Sequence, residues 1–253
     1  MYYLLKWHKS ITKLKMKSRN LILVRHGQSE WNAKNLFTGW ENPGLTETGK
    51  TEAKNAGNLI KKENIEINYF YSSFQSRANN TLKLIQEVLG NNKNFTRAWQ
   101  LNERHYGALT GLNKTEMSEK LGEEQVYKFR RSWDLRPDPL NKNSSFHPSN
   151  IDIYKNVPNE NIPDTESLKD TYSRVVKYYE KEIKEKLNRE NILIAAHGNS
   201  IRALCKYLFK LDEVQISKLE IPTGNPLLIE FNNTQINSCR YLDKDKAKNL
   251  LVF

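Results

Sequence analysis

Cysteine is scarce in this chain: its 253 residues hold only Cys205 and Cys239, and neither has a second cysteine near it at a metal-ligand spacing. A disulfide scaffold and a cysteine-rich zinc site are excluded, and a reducing, cytoplasmic setting fits best. Cys205 continues the apolar stripe of Ile201, Leu204 and Leu208, which assigns it to core packing. Long apolar runs are missing too. None approaches the eighteen or so residues of a membrane span, so no membrane partner is expected. Internal repeats and low-complexity tracts are absent. Acidic residues are missing from residues 1–19, which carry Lys6, Lys9, Lys13, Lys15, Lys17 and Arg19. Subtracting those six from the net charge of +11 leaves +5, a moderately basic body. The basic extension has no groove-reading motif, so nucleic acid is not the expected partner. A solvated, disordered tail, a transit peptide and a start site placed too far upstream of Met16 all fit it.

Strand-like runs alternate with helical stripes through the rest of the chain, the pattern of a mostly parallel sheet covered by helices. Leu21–Val24, Tyr69–Tyr71, Ile192–Ala196 and Leu227–Phe231 read as strands. One helix starts at a Thr46 cap and buries Ala53, Ala56, Leu59 and Ile60; another covers about Gln75 to Leu89. A third, capped by Thr165, keeps Leu168, Tyr172, Val175, Val176, Tyr179, Ile183 and Leu187 on one stripe. Between Arg104 and Asp164 the periodicity fades, and Pro137, Pro139, Pro148, Pro158 and Pro163 interrupt a polar stretch. That segment reads as an insertion without a second core, helical at Lys114–Trp133 and loop at Asp134–Asp164, lying over a crevice as a lid.

Arg25-His26-Gly27 and His197-Gly198-Asn199 each follow an apolar strand directly. Such turns sit at the carboxyl ends of strands, where open α/β sheets build their ligand crevices. Two imidazoles delivered there can meet one anion. One can act as a neutral nucleophile while the other is a proton donor or cation.

Leu23 to Asn32, LVRHGQSEWN, resembles the signature of the histidine phosphatase superfamily, and further segments narrow the resemblance. Phe37-Thr38-Gly39-Trp40, Leu101 to Gly107 (LNERHYG), Gly111 to Lys114, Ala195 to Ser200 (AAHGNS) and Ile221 to Gly224 are similar to the cofactor-dependent phosphoglycerate mutases, in that family's order. The resemblance implies a three-layer α/β/α sandwich, mostly parallel, with helices on both faces and a loop-rich lid. It divides the chain into the extension at 1–19 and a catalytic domain at 20–253 with a lid at about 104–164. The departures lie at the ends, in the basic leader and in a Lys-containing tail shorter than the family's usual closing tail.

Site residues follow from the matched positions. His26 is the expected phosphoryl acceptor, its tautomer held by a hydrogen bond from the other ring nitrogen to the adjoining turn. Arg25 and Arg77 match the family's arginines, whose planar paired donors suit a phosphoryl group. His197 joins them, protonated or donating to the same oxygens. Gly198 permits close approach of the backbone, and the following helix points its amino end at the anion. Glu103 is the proton partner, with a proton affinity that a nearby phosphate would raise. Tyr106, Lys114, Arg130 and Arg131 hold the substrate, while Asn32, Thr38, Gly39 and Asn199 add neutral hydrogen bonds. Arg25, Arg77, Lys114, Arg130 and Arg131 together roughly balance the about five charges of a bisphosphoglycerate.

The resemblance thus implies interconversion of 3-phosphoglycerate and 2-phosphoglycerate in glycolysis and gluconeogenesis. The route is a phosphohistidine primed by 2,3-bisphosphoglycerate, with minor synthase and phosphatase side activities. No metal is expected, because the Asp and His residues do not cluster at two-metal spacings. The family includes monomers, dimers and tetramers, so the sequence leaves the oligomeric state open, a homo-oligomer (dimer or tetramer) being one of the alternatives. A related phosphatase, in which water takes the phosphoryl group, is the nearest competitor, and a phosphate-binding protein without catalysis is the remoter one.

Overall fold

The computed structural model describes residues 18–247. Expectations for the leader before Ser18 and for residues 248–253 lie outside the described residues. Six strands, β1 (Arg19–Arg25), β2 (Tyr69–Ser72), β3 (Thr96–Arg97), β4 (Ile192–Ala196), β5 (Leu227–Asn232) and β6 (Gln235–Tyr241), form one sheet in the order β3-β2-β4-β1-β5-β6. The first four run parallel, and β5 and β6 are antiparallel. Central parallel strands are covered on both faces, which is why β1 and β4 read as unbroken apolar runs.

Alternate residues of β1 serve opposite faces. Leu21 and Leu23 belong to the apolar cluster built with α6 (Leu168–Tyr178), α8 (Gly198–Phe209) and α9 (Glu213–Lys218). Ile22 and Val24 join Ala56 and Ile60 of α2 (Glu47–Lys62) and Leu82 and Ile85 of α3 (Ser76–Leu89). The result is the expected three layers. Burying each such Leu or Ile contributes about 1.5–3 kcal/mol, so the two faces hold the sheet far more firmly than helix propensity could.

Thr46 does cap α2, accepting the amide of Gly49 at 3.1 Å. Leu59 is only partly covered, and Gly57 is buried on that face in its place. Thr165 is not the cap of α6. Its hydroxyl donates instead to the Pro137 carbonyl at 2.8 Å, and Ser167 caps the helix reciprocally with Asp170. The stripe after Tyr178 continues through a π-helical turn, Tyr179–Ile183, into α7 (Lys184–Leu187). A short α1 (Glu30–Ala33) with a Ser29 cap, β3 and β6 carry too little apolar pattern to have been read from sequence.

In the insertion, Lys114–Trp133 splits at Gly122 into α4 (Lys114–Leu121) and α5 (Glu123–Arg131), because that glycine has φ of +88°. The loop beyond it contains three 3-10 turns, at Pro148–Asn150, Asp152–Tyr154 and Asn159–Asn161. Two small apolar clusters pin the insertion down. Leu109 and Val126 pack on Phe37, and Tyr154 and Val157 pack on Trp40. The segment is thus more firmly seated than its composition suggests.

Candidate active site

Register puts the two histidines together. Arg25 pairs with Ala196 at the ends of the parallel strands β1 and β4, so the next residues, His26 and His197, leave the sheet side by side. The His26 amide donates to the Ala196 carbonyl at 3.0 Å, and the ring centroids are 5.0 Å apart, edge to face. The turn after His26 rests directly on α2. A Cβ on Gly27 would lie 2.1 Å from the Gly49 carbonyl oxygen, a contact only two glycines allow.

His26 Nδ1 lies 2.7 Å from the Gly27 carbonyl oxygen. A carbonyl only accepts, so Nδ1 carries the proton and Nε2 keeps its lone pair. Arg77 Nε donates to that Nε2 at 3.2 Å. Burial, followed by the charges of Arg77 and Arg25, holds the His26 pKa well below the usual histidine value, so the ring is neutral, the state a nucleophilic imidazole needs. His197 Nε2 sits 2.8 Å from the Ser73 hydroxyl. Its pKa is also well below the usual value, first through burial and then through Arg77 and His26. With protein groups alone around it, His197 is therefore neutral rather than the cation the sequence allowed.

His197 is fully buried and is not among the residues that line the cavity, whereas His26 lines it with the rest of the residues expected from sequence: Arg25, Asn32, Thr38, Gly39, Arg77, Glu103, Tyr106, Lys114, Arg130, Arg131, Gly198 and Asn199. Burial has left its cations short of solvent. Arg77 is fully buried and also donates to the carbonyls of Glu41 (2.7 Å) and Gly39 (3.1 Å); burial lowers its pKa to about 10. Gly39 takes a left-handed φ of +56° to turn that carbonyl toward Arg77. Arg25 donates to the Ile221 carbonyl at 2.8 Å, and its Nε is buried without a partner. Lys114, from α4 of the insertion, donates to the Leu36 carbonyl at 2.7 Å, and burial lowers its pKa to about 8. Asn32 has its side-chain oxygen engaged by the Ser29 amide, and Asn199 donates to the Tyr106 hydroxyl at 3.1 Å. Gly198 is not required by internal packing, since a methyl there would only touch Arg25, at 3.5 Å.

Glu103 is buried, and its Oε1 accepts the amides of Arg104 (2.7 Å) and of Asn199 (3.2 Å) in the first turn of α8. It does not pair with the Arg104 guanidinium, which lies 4.5 Å from the Tyr106 ring centroid and donates to the Phe129 carbonyl. Gln75 links Glu103 to the Gly39 carbonyl that Arg77 also holds, accepting the Glu103 amide (2.9 Å) and donating to that carbonyl (2.8 Å). Behind it, Arg174 forms a buried bidentate pair with Glu166 and donates to the carbonyls of Asn102 and Glu103 at 3.0 Å each.

Sequence reasoning missed Gln75, Ser73, Arg174, Glu166, Arg202 and Glu220. Arg202 and Glu220 line the cavity itself. Arg202 is buried on α8, donates to Asn199 Oδ1 at 2.8 Å, and has a pKa that burial lowers to about 9. Its one sequence signal was a charge one helical turn after the His197-Gly198-Asn199 motif. Among the described residues, no group of three or more His, Cys, Asp or Glu side chains could hold a metal ion, and no helix is long and apolar enough to cross a membrane.

A doubly covered, mostly parallel sheet with two imidazoles and buried arginines at the carboxyl ends of its central strands defines a class. A family model described as the histidine phosphatase superfamily (branch 1) matches residues 21–150 and 138–244. Solved structures agree on the fold: Bacillus stearothermophilus YhfR superposes with a TM-score of 0.65 at 20% identity, covering 87% of this chain and 94% of that one. A structure described as mycobacterial hydrolase 1 gives the same TM-score and identity, covering 89% and 97%. The 2,3-bisphosphoglycerate-dependent phosphoglycerate mutase of Pelagibacter ubique (strain HTCC1062) is 65% identical over 236 residues, 92% of this chain and 99% of the relative. That of Borreliella burgdorferi (strain ZS7) is 48% identical over 230 residues, 90% and 93%. The chain belongs to the 2,3-bisphosphoglycerate-dependent phosphoglycerate mutase family within that superfamily.

Proposed function

We propose that this chain interconverts 3-phosphoglycerate and 2-phosphoglycerate in glycolysis and gluconeogenesis, in keeping with the 2,3-bisphosphoglycerate-dependent phosphoglycerate mutase names of its relatives, with His26 as the phosphoryl carrier. The observation that carries the assignment of His26 is its neutral ring, with the lone pair of Nε2 directed to Arg77. The cavity fits 2,3-bisphosphoglycerate on its own chemistry. Arg77 and Arg202 are buried cations and Lys114 a half-buried one, all with pKa values lowered by desolvation, which a polyanion relieves. When bound, 2,3-bisphosphoglycerate supplies the phosphoryl group that primes His26.

His26 Nε2 attacks phosphorus while Arg25, Arg77 and the His197 ring hold the non-bridging oxygens. Glu103 gives a proton to the leaving hydroxyl and takes one from the attacking hydroxyl, held in place by the Asn199 and Arg104 amides. Lys114, Arg130 and Arg131 on the lid, with Tyr106, retain the ligand while its two ends exchange positions. Asn32, Thr38, Gly39, Gly198 and Asn199 contribute neutral contacts around it. The same proposal takes residues 20–253 as the catalytic domain with its lid at about 104–164, a cytoplasmic location and self-association as a dimer or tetramer.

Labelled 2,3-bisphosphoglycerate followed by peptide mapping tests the assignment. The expected result is acid-labile label on His26 that chases into monophosphoglycerate, and neither event in His26→Ala. Label elsewhere, or equal mutase activity in that variant, would overturn it.

A further inference from the structure

The cavity is lined by six cationic side chains but also by two acids, Glu103 and Glu220. Glu103 is buried and held by amides, whereas Glu220 is 48% exposed and its carboxylate pairs with Arg131, itself only 16% exposed. Arg130, next in the chain, is in no ion pair among the described residues. The backbone that carries Glu220 is tied down. Its carbonyl accepts the Tyr241 hydroxyl at 3.1 Å, and the following carbonyl, of Ile221, accepts Arg25. An acid is thus held at the mouth of an anion cavity, already occupying one of the cations that a ligand needs.

We propose that Glu220 is an exchangeable partner for Arg131, giving it up when the distal anionic group of a ligand arrives and taking it back when that group lets go. This inference rests on the phosphoglycerate assignment above. A mutase ligand has to turn between its two phosphoryl transfers, so a group held at Arg131 must be released in every cycle. Without a replacement, release would leave the Arg131 guanidinium poorly solvated and unpaired. Glu220 supplies the replacement from a half-exposed position, where its own displacement into water costs little. The exchange trades affinity for turnover. It acts only on ligands long enough to reach Arg131, and a single phosphate bound beside His26 is indifferent to it.

Glu220→Gln removes the competing charge and keeps the shape. Calorimetric titration of the unphosphorylated protein with 3-phosphoglycerate, which cannot turn over there without primer, should show binding about three- to five-fold tighter, the scale of a partly exposed ion pair. Binding of inorganic phosphate should stay within about two-fold, and primed kcat should fall as KM falls. In an Arg131→Ala background the substitution should have no effect on 3-phosphoglycerate binding. Equal tightening toward phosphate and 3-phosphoglycerate, persistence of the effect without Arg131, or unchanged affinity in a variant of unchanged melting temperature would each overturn the proposal. Failure of the unsubstituted protein to bind 3-phosphoglycerate would instead overturn the assignment of the cavity, and this inference with it.

Discussion

Arg77 donates its Nε to the Nε2 of His26 at 3.2 Å, so the nitrogen that would receive phosphorus already faces the guanidinium that would hold its oxygens. The same side chain fastens the Gly39 and Glu41 carbonyls, which fixes its plane. Lysine offers no such fork. Arg77→Lys is expected to slow single-turnover phosphorylation of His26 by about 100-fold or more, the usual cost of losing an oriented oxyanion donor. Rapid-quench measurement of acid-labile label checks it.

Glu103 accepts two backbone amides through one oxygen, and a glutamine amide oxygen can do the same. Glu103→Gln therefore keeps the local structure while removing the exchangeable proton. Primed kcat is expected to fall by about 100-fold or more, with KM within a few-fold and the melting temperature nearly unchanged. A kcat loss below ten-fold would remove Glu103 from the proton path.

Three buried histidines make stability depend on acid. His26 and His197 have pKa values well below 6.5, and burial lowers that of His105 to about 3. Below the unfolded value of 6.5 the unfolded chain binds protons that the folded one does not, so stability rises with pH there and is lost as pH falls. Three protons correspond to as much as about 4 kcal/mol per pH unit at the steepest point, from about 1.4 kcal/mol for each. Urea unfolding at about pH 7.5, 6 and 5 should show a falling midpoint, and saturating phosphate at pH 6 should restore part of it.

Lys114 has a pKa lowered to about 8 by burial, so at neutral pH it is mostly charged and above pH 8 mostly neutral. Affinity for anionic ligands should weaken as pH rises through about 8. Ligand binding itself favours the charged form, so the pKa of the complex lies higher. KM for 3-phosphoglycerate, followed from pH 7 to about 9.5, should rise with this group. In Lys114→Arg the rise should shift beyond the measured range, because guanidinium stays charged.

The elements legible in the sequence were those with long regular stripes. β1, β4 and α3 stand where their apolar patterns put them, while β3 and β6, partly exposed and short or polar, had no such pattern. The cap of α6 was misplaced at Thr165 because two candidate hydroxyls precede that helix, and only the position of Pro137 decides which is free. Residues supporting the site behind its lining, such as Gln75 and Arg174, lay outside the matched motifs and look like ordinary polar positions in sequence.

The amino-acid order by itself determined the chemistry on offer: two imidazoles at strand ends, arginines suited to phosphate, and a carboxylate in a motif beside them. Only the tertiary structure decided their states. Arg25 opposite Ala196 sets the distance between the histidines, and Gly27 against Gly49 seats the turn. Burial then makes both rings neutral and lowers the pKa of Lys114, and the fold brings Arg202 and Glu220 to the same cavity. Periodicity and motif spacing are local along the chain, whereas protonation and pairing depend on solvent exclusion and on charges distant in sequence.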